Sequence, residues 1–320
     1  MSKQPRLLVV GSFMMDLIVS TPRFPAAGET VIGTGFQTAP GGKGVNQAVQ
    51  AARLGAQVSM VGKVGDDAFG RQMTDTARAA GVDLTHVLVD RDAPSGIGNV
   101  QLEVKNGTTQ NRICVVPGAN LRITPEEVAF LKEEIAQYDL VIMQLEIPME
   151  INELVAQYAF DKGVPVMLNP APSAPLSPAL LSHLTYISPN EHEAADITGV
   201  RIETTEDARA AVDALRQKGV GRALITLGSR GAMFGDGEQT LLSPCVDGIA
   251  VQDPTAAGDS FVAAFCTAVC RGLSPEKALL FANHTAALTV SRMGALPSLP
   301  TLAEVLALLK ERGQDTSDWE

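Results

Sequence analysis

Cysteine is scarce in this 320-residue chain: only Cys114, Cys245, Cys266 and Cys270 occur, and they are scattered. No two of them form a CxxC pair and no histidine stands at zinc-site spacing, which speaks against a zinc module. The thiols read as reduced, which points to the cytoplasm. Cys266 and Cys270, four apart on one helix face, read as core packing. Basic residues are also few, with 25 Lys and Arg against 36 Asp and Glu, a net charge of -11. That balance argues against nucleic acid or an anionic membrane as partner. An acidic protein that binds phosphates must do so with local backbone and a few local cations. There is no apolar run of membrane length and no signal peptide, since the chain passes from Arg6 straight into Leu7-Leu8-Val9-Val10-Gly11. Internal repeats, low-complexity tracts and disordered linkers are absent too. What is present is a hydrophobic share of 45%, enough for a sizeable core in one large α/β domain or two ordinary ones.

Strand-like and helix-like stretches alternate for most of the length. Residues 7–11 read as a buried strand, 44–54 as a helix closed by Gly55, 58–61 as a strand and 69–80 as a helix closed by Gly81. Thr124-Pro125-Glu126-Glu127 is a capping box with proline at the first helical position, opening a helix to about residue 137. Residues 140–144 and 164–168 are strand-like, on either side of a helix that reaches residue 162. A helix over 205–218 precedes a strand at 223–226, and Thr301-Leu302-Ala303-Glu304 opens the last helix. Short, continuously apolar strands are expected where both sheet faces are covered. The pattern predicts a doubly wound, mostly parallel α/β architecture.

Two segments break the alternation. Residues 17–37 are rich in Thr, Gly and Pro. Within 95–116, polar Asn99, Gln101, Glu103 and Lys105 alternate with apolar Val100, Leu102 and Val104, and the hairpin signal Asn106-Gly107 follows. Both read as antiparallel strands apart from the main sheet, pairing into a small lid over a site. The apolar face of that lid needs cover, which a second subunit's lid would supply in a homodimer. The polar tail 313–320 is expected to fray.

The densest chemistry lies in Asp253-Pro254-Thr255-Ala256-Ala257-Gly258-Asp259. Three tiny residues lead into a carboxylate, and an apolar helix follows, running to Cys270 and stopping at Gly272. Amides at a helix N-terminus lack intrahelical partners and carry the positive end of the dipole, so a phosphate can approach them where side chains are small. Asp259 beside that phosphate is placed as a general base, and the pair is the minimum equipment for phosphoryl transfer. The competing reading is an acidic first turn that only stabilises the helix.

Pro40-Gly41-Gly42-Lys43-Gly44-Val45-Asn46 is a glycine-rich turn into a helix, with a cation and an amide in reach of a polar ligand. It is not a Walker A loop; a tight turn with a surface lysine is the alternative. Asp16 and Glu146 follow strands at the edge where α/β ligands bind, and suit sugar hydroxyls; turn residues are the alternative. Asn190-Glu191-His192-Glu193 could hold Mg²⁺ through water, or be a plain helix start. His192 belongs on a solvated helix face. Thr226-Leu227-Gly228-Ser229-Arg230-Gly231 suits nucleotide phosphates or ribose, or is a hairpin into residues 232–234.

Taken together these motifs resemble the ribokinase branch of the carbohydrate kinase family over nearly the whole chain. The likeness is carried by Gly11-Ser12 with Asp16, Gly28-Glu29-Thr30, Gly41 to Ala48, Gln144-Leu145-Glu146, Leu168-Asn169-Pro170-Ala171-Pro172, Pro189 to Glu193, Thr226-Leu227-Gly228 and Asp253 to Asp259. The resemblance implies one domain over 1–320, an α/β fold with a β lid formed by about 17–37 and 95–116, and ATP-dependent phosphorylation of a pentose. It implies Asp259 as base and the amides of Ala256, Ala257, Gly258 and Asp259 as anion hole. Asp16, Gly42, Lys43, Gly44, Asn46 and Glu146 match sugar contacts. Asn190 and Glu193 match residues that organise Mg²⁺ and phosphates, and Thr226, Gly228, Ser229, Gly231 and Asn283 match the ATP pocket. Asp253 and Thr255, with Val290, Met293, Ala295 and Ser298, match a loop that binds an activating K⁺.

Three positions depart from the family pattern. Pro254 and Ala256 stand where Thr and Gly are common, and Met14 stands at a sugar-facing position where many members have Asn. Ribose is the expected substrate. A 2-deoxyribose kinase, a nucleoside kinase and a sugar-sensing protein without catalysis are the alternatives.

Overall fold

The computed structural model describes residues 4–105 and 108–319, so the expected Asn106-Gly107 turn lies outside the described residues. Along the chain run β1 (Arg6–Val10), β2 (Met14–Thr21), β3 (Gly35–Gly41), β4 (Gln57–Gly65), β5 (Asp83–Asp90), β6 (Gly96–Lys105) and β7 (Thr108–Val116). After them come β8 (Leu140–Gln144), β9 (Val166–Asn169), β10 (Tyr186–Ile187), β11 (Arg222–Thr226), β12 (Ala232–Gly235) and β13 (Thr240–Ser243).

Nine strands form one sheet in the order β13-β12-β11-β10-β9-β8-β1-β4-β5. It is parallel from β11 to β5, and β12 and β13 add an antiparallel edge. From β1 the chain first builds outward through β4 and β5, then returns to the other side of β1 with β8. That reversal opens a crevice beyond the strands' carboxyl ends. Side chains alternate across the sheet and fill two cores. Leu7 and Val9 pack with the Lys43–Arg53, Ala257–Cys270 and Pro275–Val290 helices, while Leu8 and Val10 pack with the Met149–Asp161 and Thr205–Gln217 helices. Fully buried Phe234 and Phe265 each contribute roughly 2 kcal/mol by leaving water.

The remaining strands make a four-stranded sheet, β3-β2-β6-β7, from the two segments that broke the alternation. The β2/β3 and β6/β7 pairings are antiparallel, and the central β2/β6 pairing is parallel. The strands reach past the expected lid borders, with β2 starting at Met14 and β3 running to Gly41. Register places Asp16, Gly98 and Val115 on one face with Ile18, Val100 and Ile113. Asp67 roots the lid, accepting from the Ser95 amide at 2.7 Å and its hydroxyl at 2.8 Å.

Two expectations need correction. The helix opened at Thr124 is three short pieces, Pro125–Val128, Leu131–Glu134 and Ile135–Gln137, because amides at Ala129 and Lys132 bond three residues back. The tail does not fray up to residue 319: Trp319 is buried and stacks on Phe281 at 4.0 Å, an apolar anchor that outweighs its polar neighbours. Among the described residues no disulfide forms, and Cys266 is buried as expected. Among the described residues no helix is long and apolar enough to cross a membrane.

Candidate active site

A cleft of about 250 Å³ opens where the strands end. Lys43, Asn190, Glu193, Thr226, Ala256, Ala257, Gly258 and Asp259 all line it, together with Asn169 and Ser188, which were not foreseen as site residues. Asp259 sits in the first turn of the Ala257–Cys270 helix and is only 6% exposed. A buried carboxylate needs hydrogen-bond donors, and the helix Lys43–Arg53 supplies two. Asn46 Nδ2 donates to Asp259 Oδ2 at 2.9 Å and Gln47 Nε2 donates to Oδ1 at 2.9 Å. Asn46 therefore holds the Asp259 carboxylate, and its Oδ1 is buried with no partner.

The helix start leaves three of the four expected amides without a partner among the described residues. Ala257 N–H already donates to the Pro254 carbonyl at 3.2 Å. The amides of Ala256, Gly258 and Asp259 have no partner among the described residues. Ala256 is the one described non-glycine residue at positive φ, at 61°. Left-handed backbone costs an alanine about 1 kcal/mol, and here it turns the chain so that free amides face the cleft.

The glycine turn is equally constrained. Gly42 has φ 106°, and a β-carbon there would lie 2.7 Å from the Met14 amide. Through it β3 passes without interruption into the Lys43–Arg53 helix. Glu146 Oε2 accepts from the Lys43 backbone amide at 3.0 Å and from the Ser12 hydroxyl at 2.5 Å, and that hydroxyl accepts from Gly44 N–H at 3.2 Å. Burial works against the Lys43 charge, yet Asp259, Glu146 and Glu193 hold its ammonium above the ordinary lysine value. Asp16 is pushed up to about 6, first by burial and then by repulsion from Glu146. Met14 is buried, with its sulfur 3.7 Å from Asn120 Nδ2. Asn120 also clamps the lid root through the Phe13 amide and carbonyl, at 2.9 and 2.7 Å.

On the far side of the cleft the Asn190 segment is the helix start that was the alternative reading. Asn190 caps the Glu191–Thr198 helix in a reciprocal box with Glu193, at 2.9 Å in each direction. Glu193 also lines the cleft, its carboxyl raised by burial against the opposing pull of Asn190 and Lys43. Its oxygens and the absence of nitrogen or sulfur ligands suit a hydrated Mg²⁺. His192 is exposed, as expected.

The nucleotide-side residues divide. Thr226 reaches the cleft, whereas Gly228, Ser229 and Gly231 form the β11–β12 turn and do not line it. Arg230 is not free for a ligand, because it pairs with Glu191 and donates to the Glu203 carbonyl at 2.9 Å. Asn283 is spent on bracing the segment after β13, donating to Ser243 O, Ser243 Oγ and Pro244 O at 2.9–3.1 Å.

The residues expected to hold K⁺ also come together. Gln252 and Asp253 amides donate to Val290 O at 2.8 and 3.2 Å, and Gly294 N–H donates to Asp253 Oδ2 at 2.8 Å. Thr255 donates to Asp253 Oδ1 through its amide at 2.9 Å and its hydroxyl at 2.6 Å. Burial opposes the Asp253 charge, but these donors hold its carboxyl below the usual value. Ser298 Oγ donates to Ala295 O at 2.7 Å, and Met293 is exposed. The donor set is all oxygen, which fits a monovalent cation, although direct hydrogen bonds already lace the two loops together.

Comparison with known proteins fits this geometry. The family model of the pfkB family carbohydrate kinases matches residues 4–302. The chain is 42% identical to the ribokinase of Bacillus subtilis over 95% of its length and 99% of that protein. It is 32% identical to the deoxyribokinase of Salmonella typhimurium, over 93% of this chain and 96% of that one. The solved structure of Arabidopsis thaliana ribokinase complexed with ribose and ATP superposes with a TM-score of 0.89 at 35% identity, covering 96% and 99% of the two chains.

The Asp16 shift has a measurable consequence. A carboxyl whose folded pKa is raised from 3.8 to about 6 destabilises the fold above pH 6, and not below the unfolded value. Asp16→Asn should therefore raise unfolding free energy by roughly 1–3 kcal/mol at pH 8 and leave it unchanged near pH 3.5. Urea unfolding at the two pH values checks this; an equal effect at both would mean that Asp16 carries no such penalty.

Proposed function

This chain belongs to the pfkB family of carbohydrate kinases and is an ATP-dependent carbohydrate kinase, and we propose that its acceptor is D-ribose, phosphorylated on the primary hydroxyl to give ribose 5-phosphate. The observation that carries the mechanism is the meeting, in one cleft, of the Asp259 carboxylate, the free amides of its helix start and the Lys43 side chain. Asp259 takes the proton of the sugar hydroxyl as its oxygen attacks the γ-phosphorus of ATP, and ADP leaves. Amides of Ala256, Gly258 and Asp259 and the Lys43 ammonium receive the charge that develops on the phosphoryl oxygens. Asp16, Glu146 and the unpartnered Asn46 Oδ1 accept hydrogen bonds from the other hydroxyls. Mg²⁺, held through water near Glu193 and Asn190, would neutralise phosphate charge when bound.

Loss of the base tests the mechanism. Asp259→Asn should lower kcat by about 10²–10⁴-fold with little change in ATP affinity, because the phosphate contacts are backbone. Near wild-type turnover would remove Asp259 from the role.

Coupled ADP release across ribose, 2-deoxyribose, arabinose, fructose and nucleosides tests the substrate. Ribose should lead, with 2-deoxyribose within about 10²-fold, since an apolar Met14 discriminates weakly against a hydroxyl. Met14→Asn should move kcat/KM toward ribose. A nucleoside or fructose outpacing ribose would overturn the assignment.

K⁺ is proposed as an activator, seated between 253–255 and the carbonyls of 290–298, where it orders the loop that carries the amides. Turnover in K⁺ should exceed that in Na⁺ or a bulky organic cation. Equal rates in all three would mean that the hydrogen bonds of Asp253 and Val290 hold the loop unaided.

A homodimer through the lid is proposed on the half-exposed Val104, Ile113 and Val115, at 49%, 57% and 50%, which lie on the Asp16 face of the small sheet. Sedimentation should give a dimer that Ile113→Glu dissociates; a wild-type monomer at every concentration would exclude it.

A further inference from the structure

Beyond the base itself, the geometry points to a two-amide relay that aims it. We propose that Gln47 is the positioning residue of Asp259 and that Gln144, at the end of β8, locks the Gln47 carboxamide in the only orientation that works. The proposal rests on the reading of Asp259 as base.

Both glutamines are fully buried. A carboxamide can be turned over with little change of shape, exchanging its donor and acceptor ends. If Gln47 were turned over, its oxygen would face the Asp259 carboxylate, acceptor against acceptor, and the base would lose one of its two donors. The structure specifies the other orientation at every atom. Gln47 Nε2 donates to Asp259 Oδ1 at 2.9 Å and to Asn169 Oδ1 at 3.2 Å. Gln47 Oε1 accepts from Gln144 Nε2 at 2.6 Å. Asn169 is itself fixed by donating to the Ser188 carbonyl at 2.9 Å.

Gln144 gives up a bond of its own to do this. Its Oε1 is buried without a partner, an arrangement that proteins rarely keep unless the other end of the amide is needed. Gly11 leaves that oxygen room, since a β-carbon there would lie 2.1 Å from it. The relay thus runs from the end of β8 through the Lys43–Arg53 helix to the start of the Ala257–Cys270 helix. With Asn46 on Oδ2 and Gln47 on Oδ1, the plane of the carboxylate is fixed, and each oxygen keeps a lone pair for the incoming proton.

The test is a double-mutant cycle in the full-length enzyme with ribose and ATP. Gln47→Met, of similar size but without a donor, should lower kcat by about 10–100-fold and leave both KM values within about threefold, as expected when alignment of a reacting group is lost. Gln144→Met, which touches no reacting group, should lower kcat by about 3–10-fold with the same signature. Because Gln144 acts through Gln47, the double variant should be no slower than Gln47→Met alone. Losses that multiply would mean separate packing effects and overturn the relay.

A second variant decides if Gln144→Met does not fold. Gln47→Glu keeps the size and the bond from Gln144 but sets an acceptor against Asp259, so it should be at least as slow as Gln47→Met. Wild-type kcat in Gln47→Glu would overturn the proposal. An inactive Asp259→Asn beside fully active Gln47 variants removes only this inference. An active Asp259→Asn removes the base reading and this inference together.

Discussion

The proposed site depends on one buried carboxylate, Asp259, held between two side-chain donors. Asp259 has little contact with water, and an isolated charge there would be too costly to hold. Two side-chain amides from a helix more than 200 residues away in sequence make it possible. That requirement explains why the Lys43–Arg53 helix carries Asn46 and Gln47 on a side that would otherwise be core, both of them buried. It also explains why the helix must follow at once upon a glycine turn, which lets its first turn approach the ends of β1 and β8.

Charge is distributed around this centre by the same logic. The chain is acidic overall and its cleft holds Asp259 and Glu193, with Asp16 and Glu146 alongside, yet its task is to receive polyphosphate. The attraction is strictly local. In the proposed mechanism a helix start with three free amides and one lysine supplies it, and the carboxylates keep that lysine charged. Arg230, the other cation that seemed available from sequence, is engaged with Glu191 and the Glu203 carbonyl.

Much of the fold was legible because it follows from periodicity and end signals. The apolar runs of β1, β8 and β11 and the capping boxes at Thr124 and Thr301 are visible as letters. β5 and the Pro275–Val290 helix were not anticipated. The first alternates only weakly, and the second is apolar on nearly every side, so neither has a clear period. The parallel β2/β6 pairing could not be read either, since no local signal distinguishes it from a hairpin. Asp259, Lys43 and Glu193, which the structure brings to one cleft, could be singled out because small residues, charge and helix starts mark them. Gln144, Asn169 and Ser188 were not assigned roles, for they end apolar strands and gain meaning only from partners distant in sequence. Trp319 misled in the opposite sense: its polar neighbours suggested a loose tail, and one aromatic contact with Phe281 fastens it.

The span between the base and its clamp has a consequence for the chain as it is made. Asn46 and Gln47 emerge from the ribosome early and Asp259 late, separated by 213 and 212 residues. Until the last fifth of the polypeptide is made, the Asn46 and Gln47 amides lack the carboxylate that they hold. The two hydrogen bonds that fix Asp259 therefore close only after most of the chain has been synthesised.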